Sequence, residues 1–463
     1  MNLPNYFLAD LPPEATLSPT MIAEACHTLK RNREKYLLTR TTDDLVKILC
    51  EVAAEWLQPE NKFRRLALAG ERSAEHRLGT DSASATKLAG TVPGAPSTGF
   101  SPSILARGLD EFFRRFTPEN FQALLEQDLG ANNDRHFWHG PGLLVHIAAG
   151  NLPNPALMSL TLGLLTRSAQ FMKCASGAAL LPRLFAHSIY DLDRKLGACL
   201  ELAEWRGGNV DLETVLFAEA DCVTATGSDE TLLAIRARLP AKTRFLGYGQ
   251  RVSFGYVSRE VLHEETVAEI ISRAADDVVA WDQNGCLSPH VIYVEERGAV
   301  ESDQFAALLA AELMRREATE PRGKISVAES AKIASRRSIY ETLAAHRGDI
   351  KLWASQNSTA WTVVFEHEVR FRFSPLNRFI YVKPVPDVAA VLPGVDEIHG
   401  KVSTVGIAAP DEKARALARQ FARWGATRIC PLGQMQNPPL TWRHDGRPAL
   451  GDLITWTDFE QNI

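Results

Sequence analysis

Apolar residues recur at three- and four-residue intervals through TLKRNREKYLL and TTDDLVKILCEVAAEWL, which predicts helices over residues 1 to about 78. Thr41, with Asp44 three residues on, resembles a capping box at the start of the second segment. From Gly79 to Ser103 the periodicity stops and Gly, Ser, Thr, Ala and Pro dominate, which predicts a long loop. Helical spacing resumes in ARGLDEFFRRF and ENFQALLEQDL.

After Gly140 the period changes. LLVHIAA (143–149) reads as a buried strand ended by Gly150, NPALMSLTLGLLTRSA as an apolar-faced helix, and QFMKCAS as the next strand. A helix follows from about Pro182; then come the strand DCVTAT, ended by Gly227, a helix from near Asp229 and the strand TRFLGY. Strand, crossover, strand in succession implies a parallel sheet with right-handed connections, a doubly wound α/β unit. A second α/β stretch runs from SFGYVS (253–258) through a helix at about 264–278, the segment WDQNGCLSPH, the strand VIYVEE and a helix near 303–316. VSTVGIAAPDEKARALARQFARWGATRICPLG is a further strand–helix–strand unit, and TWRHDGRPALGDLITW reads as an extended tail.

Composition narrows the class of protein. A chain of 463 residues with 45% hydrophobic content can bury large cores in two or three domains. A net charge of −5 with scattered Lys and Arg excludes the basic footprint of a nucleic-acid binder. No run approaches the roughly 18 apolar residues of a membrane span, and MNLPNYFLADLPPE lacks the order of a signal peptide, so a cytoplasmic enzyme is expected. The seven cysteines, at 26, 50, 174, 199, 222, 286 and 430, show no metal-ligand spacing; neither disulfides nor structural zinc are expected.

Four features carry candidate chemistry. Cys286 lies in DQNGCLSPH, where a Gly/Asn/Pro-punctuated loop can present a thiol to a cleft, although a lone Cys is more often a small buried hydrophobe. In AAGNLPNP, Asn151 ends a buried strand, where its amide can face a ligand crevice or simply cap the next helix. Lys173 ends the following strand. In TGSDE, Gly227 and Ser228 open a helix whose N-terminus can face a phosphate. GYGQRVSFG is a decoy for a phosphate loop, because it joins two strands instead of opening a helix. His146 reads as a core residue, and His290 is a candidate for assisting thiolate formation.

In this order the four features resemble the aldehyde dehydrogenase superfamily. The more specific similarity is to the LuxC-type acyl-CoA reductases of bacterial bioluminescence, through LKRNREKYL, GPGLLVHIAAGNLP, the Lys of FMKCAS, EWRGG, LGYGQRVSFGYV, WDQNGCLSPHVIYVE, VSTVGI and a terminal LITWTDFE, from about residue 28 to 460. The resemblance implies an aldehyde-dehydrogenase-like α/β fold. Residues 1–250 would form a helical N-terminal region and a Rossmann-like cofactor-binding domain, 251–425 a catalytic domain, and 426–463 a return strand and oligomerisation arm. It also implies that Asn151 donates to an oxyanion, that Lys173 touches the adenosine ribose and that Cys286 is the nucleophile. The net reaction would take acyl-CoA and NADPH to aldehyde, CoA and NADP.

Two departures from the hydrolytic members bear on chemistry. Their Glu-Leu-Gly-Gly, whose Glu activates water, is replaced by Leu246, Gly247, Tyr248 and Gly249, and no Asp or Glu occurs from Ala241 to Ser258. Where NAD-preferring relatives carry an acid three residues after the Lys stands Ser176, which admits a 2′-phosphate and hence NADPH. NRFIYV matches the Glu-x-Phe-Gly-Pro pattern poorly, so no role passes to Asn377. The expected substrate is a long-chain acyl-CoA or acyl-protein thioester, with an acyl-protein ligase partner and a homo-oligomer. The alternatives are a short-chain acylating aldehyde dehydrogenase or a non-redox acyl carrier or acyltransferase.

Overall fold

The computed structural model describes residues 3–12, 14–76, 98–130 and 136–460. Most of the loop expected at 79–103 lies outside these residues. The helices α1 (Pro19–Asn32), α2 (Thr42–Trp56), α3 (Lys62–His76), α4 (Pro102–Phe113) and α5 (Pro118–Leu129) occupy the N-terminal region. Four start at a hydroxyl that accepts a first-turn N–H, Ser18, Thr41, Ser101 and Thr117, and three of these carry Pro in the first turn, where no intrahelical donor is lost.

The strand β1 (His136–His139) precedes the alternating stretch: β2 (Leu143–Ile147), α6 (Asn154–Leu165), β3 (Ala169–Cys174), α7 (Leu180–Leu192), the short α8 (Arg194–Gly197), β4 (Leu200–Glu204), α9 (Val210–Glu219), β5 (Cys222–Thr226), α10 (Asp229–Arg236) and β6 (Arg244–Tyr248). Its five strands form one parallel sheet in the order β4-β3-β2-β5-β6. The chain moves outward from β2 to β4, then crosses back to β5. The direction reverses between β2 and β5, and the crevice outside the carboxyl ends of those strands is where such sheets bind ligands.

Then follow β7 (Val252–Val257), α11 (Glu264–Val279), β8 (Pro289–Glu295), α12 (Ser302–Thr319), α13 (Val327–His346), β9 (Ile350–Ala354), β10 (Thr362–Glu366), β11 (Phe379–Val385), α14 (Val388–Gly394), β12 (Val402–Ala408), α15 (Asp411–Trp424), β13 (Ile429–Pro431) and β14 (Thr455–Asp458). Seven of these strands make a second sheet, β13-β12-β7-β8-β11-β10-β9, parallel except for the edge strand β9. β14 returns to pair antiparallel with β1, but only these last residues of the expected extended tail are a strand: the chain before them runs through turns and a short 3-10 helix at His444–Gly446. Among the described residues no helix is long and apolar enough to cross a membrane, and no cluster of three or more His, Cys, Asp or Glu could hold a metal ion.

β4 and α9 escaped the periodicity reading. In LELAE an acidic residue faces inward: Glu201 accepts the Leu8 and Leu202 N–H groups at 2.7 and 3.0 Å, and burial pushes its carboxyl up to about 8. Buried His146 ties β2 to its neighbours: Nδ1 accepts from the Thr224 hydroxyl at 2.7 Å and Nε2–H donates to Gln170 Oε1 at 2.9 Å, so the ring is neutral. Gln170 completes the chain through Nε2 to Leu160 O at 3.0 Å, which fixes its amide orientation.

In the second sheet, two turns leave the ordinary backbone regions together. Trp281, Asp282 and Gln283 have φ of 53°, 49° and 64°, and Leu376, Asn377 and Arg378 have 66°, 57° and 65°. Left-handed conformations cost non-glycine residues roughly 1–2 kcal/mol each, so something must hold these runs. Buried Arg378 pairs with buried Asp282 (Nε to Oδ1, 2.8 Å) and with Glu317 at 2.9 Å, and Gly323 N donates to Asp282 Oδ2 at 2.9 Å. Gln283 spans the turns, donating to the carbonyls of Pro289 and Phe379 and accepting the Phe379 N–H, each at 2.8 Å.

Arg378→Met strands the Asp282 carboxylate in the interior and is expected to cost about 3–5 kcal/mol in urea unfolding, whereas adding Asp282→Asn recovers part of that loss. A single variant as stable as the double would show that the pair braces nothing. The His146 ring is held near a pKa of about 4 by burial, below its unfolded value. Its contribution is therefore present above about pH 6.5 and fades as pH falls, by about 2 kcal/mol between pH 7 and 5. His146→Gln should lose less stability than the native chain over that interval, in urea melts at the two pH values.

Candidate active site

The braced turn Trp281–Gln283 leads directly into Asn284, Gly285 and Cys286. The Cys286 carbonyl accepts from the Ser253 hydroxyl at 2.7 Å, and Ser253 Oγ in turn accepts the Thr404 N–H at 3.1 Å, so β7 and β12 fix the turn from below. Gly285 is hemmed in: a Cβ there would lie 3.0 Å from Leu152 Cδ1 and from Gln436 Oε1. A side chain at this position would press on Leu152 and Gln436, which would have to give by a few tenths of an ångström.

Asn151 belongs to the strand-end segment after β2. It caps nothing: the N-cap of α6 is Pro153, without a side-chain bond. Instead Asn151 Nδ2 donates to the Asn284 carbonyl, 3.0 Å away and two residues before Cys286. Nδ2 carries a second N–H, the donor an adjacent oxyanion would need. The structure thus brings Asn151 and Cys286 together across the two sheets, although 135 positions separate them in the chain.

Cys286 is half-buried, and its thiol is pushed up to about 11, first by burial and next by the Asp445 carboxylate, against the Ser403 hydroxyl and Arg251. The buried Cys26, Cys174, Cys199 and Cys222 and the half-buried Cys430 lie higher, at about 12. Cys286 is therefore protonated near neutrality. His290 does not help it: Nδ1 accepts the Ser374 N–H at 3.0 Å, the ring packs against Phe371 and Phe373, and burial lowers its pKa to about 4.

The remaining candidates line the carboxyl ends of the five-stranded sheet. Lys173 is buried, and burial lowers its pKa; its ammonium lies 6.0 Å from the Trp205 ring and 3.9 Å from where a Gly207 Cβ would stand. The buried Trp205 Nε1 has no hydrogen-bond partner. A Cβ on Gly150 would meet Ala175 Cβ at 3.2 Å, so the β2 and β3 turns are closely packed. Ser176 is exposed, and next to it the Gly177 N–H donates to the Glu204 carboxylate at 2.7 Å. Sequence reasoning missed Glu204, because its strand went unread.

Gly227 N donates to Tyr248 O at 3.2 Å, and Ser228 caps α10 by accepting the Thr231 N–H at 3.3 Å. Asp229 and Glu230 fill the first turn of that helix and already complement its dipole. A lysine over an unpartnered indole N–H, beside glycines at the carboxyl ends of parallel strands, is a donor set suited to a dinucleotide. Among the described residues no carboxylate comes from Leu246–Gly249 itself, while Asp229 Oδ1 lies 2.5 Å from where a Gly249 Cβ would be.

A profile of the acyl-CoA reductase (LuxC) family matches residues 95–456. The chain is 24% identical over 325 residues to long-chain acyl-protein thioester reductase 2 of Photobacterium leiognathi, covering 69% of this chain and 64% of that protein. It is likewise 24% identical over 326 residues to the long-chain acyl-protein thioester reductase of Aliivibrio fischeri, with the same coverage. The matched region thus spans a little under two thirds of these relatives. In structure it resembles an NAD-dependent benzaldehyde dehydrogenase from Corynebacterium glutamicum, with a TM-score of 0.66, 12% identity and coverage of 96% and 91%. It also resembles the Delta-pyrroline-5-carboxylate dehydrogenase of Mycobacterium tuberculosis, with a TM-score of 0.63, 13% identity and coverage of 97% and 84%. A family match over most of the chain, on a fold shared with aldehyde dehydrogenases, leads to one assignment: the chain belongs to the acyl-CoA reductase (LuxC) family.

Proposed function

We propose that this chain reduces an acyl thioester to the aldehyde, with Cys286 carrying the acyl group. The observation that supports it most directly is the Asn151 amide resting on the Cys286 turn at 3.0 Å. Cys286 Sγ attacks the thioester carbonyl, Asn151 and a backbone N–H of the turn stabilise the tetrahedral oxyanion, and the donor thiol departs. A nicotinamide cofactor, NADPH in this reading, supplies the hydride that reduces the acyl-enzyme when bound. The thiohemiacetal then collapses, freeing the aldehyde and the Cys286 sulfur. Lys173, Ser176, Gly227 and Ser228 would face the cofactor, and residues 1–250 and 251–425 would act as cofactor and catalytic domains. The substrate class is a long-chain acyl-CoA or acyl-protein thioester, with an acyl-protein ligase as partner. Exposed Phe137 on β1 and Trp456 on β14 support reading 426–463 as an oligomerisation arm.

Incubation with acyl-CoA should leave an acyl adduct on the intact protein, by mass spectrometry, and Cys286→Ala should abolish both adduct and aldehyde. Asn151→Ala should lower kcat by about 10²–10³ without lowering the melting temperature. Normal reduction by Cys286→Ala would remove the nucleophile. An adduct that no nicotinamide cofactor discharges would make the protein an acyl carrier.

For the cofactor, Glu204 matters beside Ser176, because its carboxylate is a negative charge that a 2′-phosphate would meet. Glu204→Gln should tighten NADPH binding more than NADH binding, and Ser176→Glu should do the reverse, both read from nucleotide fluorescence. Equal changes for the two nucleotides in both variants would place the 2′-group elsewhere.

A further inference from the structure

A cavity of about 440 Å³, partly open to solvent, lies where one face of α4, the start of α6, the end of α11 and the C-terminal segment meet. On α4 the lining positions Ile104, Arg107 and Glu111 recur at three and four residues, so a single stripe of the helix faces it. Gly108 on that stripe lets Trp281 pack against the helix: a Cβ there would lie 2.1 Å from Trp281 Cζ2. Trp281 begins the braced turn. On another wall stands Gln436, whose Nε2 donates to the Ser288 hydroxyl and whose Oε1 is 3.0 Å from the position that a Gly285 Cβ would take. The cavity therefore shares its walls with the turn that carries Cys286, and Asn154, on its α6 side, lies three residues after Asn151.

Most polar groups on these walls are already engaged. Arg107 pairs with Asp276 at 2.6 Å and with Glu320 at 3.1 Å, and buried Asp277 accepts the Gly433 and Met435 N–H groups at 2.5 and 2.9 Å. Two groups are left over. Asn154 Oδ1 is buried and has no hydrogen-bond partner among the described residues, so nothing offsets its loss of water. Arg115 directs its two η nitrogens at uncharged acceptors, the Pro438 carbonyl at 2.7 Å and Asn437 Oδ1 at 2.8 Å, and burial lowers its pKa to about 10. Each of those nitrogens holds a second N–H. Glu111, the carboxylate on the α4 stripe, is bonded to Arg114 at 3.2 Å. The cavity thus offers one empty acceptor and one cationic donor beside the apolar surfaces of Ile104 and Trp281.

Resting on the acyl-transfer reading above, we propose that this cavity holds the pantetheine arm of the acyl donor, so that the thioester reaches Cys286 on a pantetheine thiol and not on the cysteine of a protein. The arm is a slender chain with two amides. An amide N–H fills Asn154 Oδ1, an amide carbonyl accepts from Arg115, and the methylenes lie along Ile104 and Trp281. An alkyl chain offers neither group and would leave both polar atoms desolvated and unpaired. An acyl group ending in a carboxylate would suit Arg115 but brings no donor for Asn154. A cysteinyl thioester holds its sulfur a single methylene from a protein backbone, too short a reach for a recess between helices. CoA and acyl carrier proteins bear the same arm, and the cavity reads the part that they share.

The full-length chain is incubated, without nicotinamide nucleotide, with S-octanoyl-pantetheine or with the ethyl thioester of octanoic acid, which lacks the arm. The rate of adduct formation at Cys286 is read by intact-protein mass spectrometry, and the native chain should acylate faster from the pantetheine ester. Asn154→Leu should lower the ratio of the two rates by about three- to tenfold and Arg115→Met by about ten- to a hundredfold, the ranges for losing a neutral and a charged hydrogen bond. Because Asn154→Leu deletes a buried acceptor that has no partner, it should melt no lower than the native chain, which separates a lower ratio from lost folding. Octanoyl-CoA and an octanoyl carrier protein are compared in the same way; the faster in the native chain names the source, and its rate should fall in both variants. Equal rates from the two small thioesters in the native chain, or a ratio that stays at its native value in Asn154→Leu, overturns the arm site. No adduct from either ester, or an adduct that persists in Cys286→Ala, brings down the acyl-transfer reading instead.

Discussion

The Asp282–Arg378 pair holds two left-handed turns in place, and the cysteine turn hangs from one of them. Six non-glycine residues at positive φ represent strain on the order of several kcal/mol, which relaxes unless fixed from outside. Arg378 supplies that constraint by reaching both Asp282 and Glu317, and Gln283 closes the gap between the turns through three backbone bonds. An ion pair buried this deeply contributes little net stability, because desolvation opposes the attraction. Its value is positional: out of water, Asp282 depends on Arg378 and the Gly323 N–H, and Arg378 on Asp282 and Glu317, so these few contacts fix how the turns sit. Asn284, Gly285 and Cys286 inherit it.

From this fixed point the site is assembled across two sheets. Asn151 comes from the first sheet and bonds the cysteine turn, and Ser253 comes from the second and holds the Cys286 carbonyl. Burial and Asp445 keep the sulfur protonated, which protects a half-buried thiol from adventitious oxidation, since the thiolate is the reactive form. In the proposed reaction, attack by such a thiol on a carbonyl would have to be coupled to proton removal.

Much of this was legible in the sequence and some was not, for identifiable reasons. β2, β3, β5 and β6 are apolar runs ended by glycine or a polar turn, and periodicity finds such strands readily. β4 was invisible because Glu201 occupies an inward position, an acid tolerated there only by two backbone N–H donors and a raised pKa. The pairing of Asn151 with the Cys286 turn could be suspected only from motif order; no local pattern reports a contact spanning more than a hundred residues. Arg378 carried no signal of its own beside Asn377, yet it is wholly buried, and nothing in NRFIYV points to an ion pair with Asp282. Asp445 sat in a stretch read as tail, where a polar residue attracts no notice.

That tail also ties both ends of β6 to the β1–β14 pair. Arg244, at the start of β6, donates to the carbonyls of Asp452 and Ile454 at 2.9 and 2.7 Å and to the Thr455 hydroxyl at 2.6 Å. Arg447 is tied to the end of the same strand through Gly247 O and Tyr248, and Leu450 N donates to Asp128 Oδ2 on α5 at 2.7 Å. The segment between Asp445 and β14 is therefore clamped at both ends to one strand and in the middle to a helix. A displacement of β14 would pull on Arg244 and hence on β6, whose far end carries the Tyr248 ring on which His444 and Arg447 rest. Because β14 and β1 expose Trp456 and Phe137, whatever covers that apolar face also restrains the segment that carries Asp445. The pairing of β14 with β1 and the placement of Asp445 thus draw on one set of contacts.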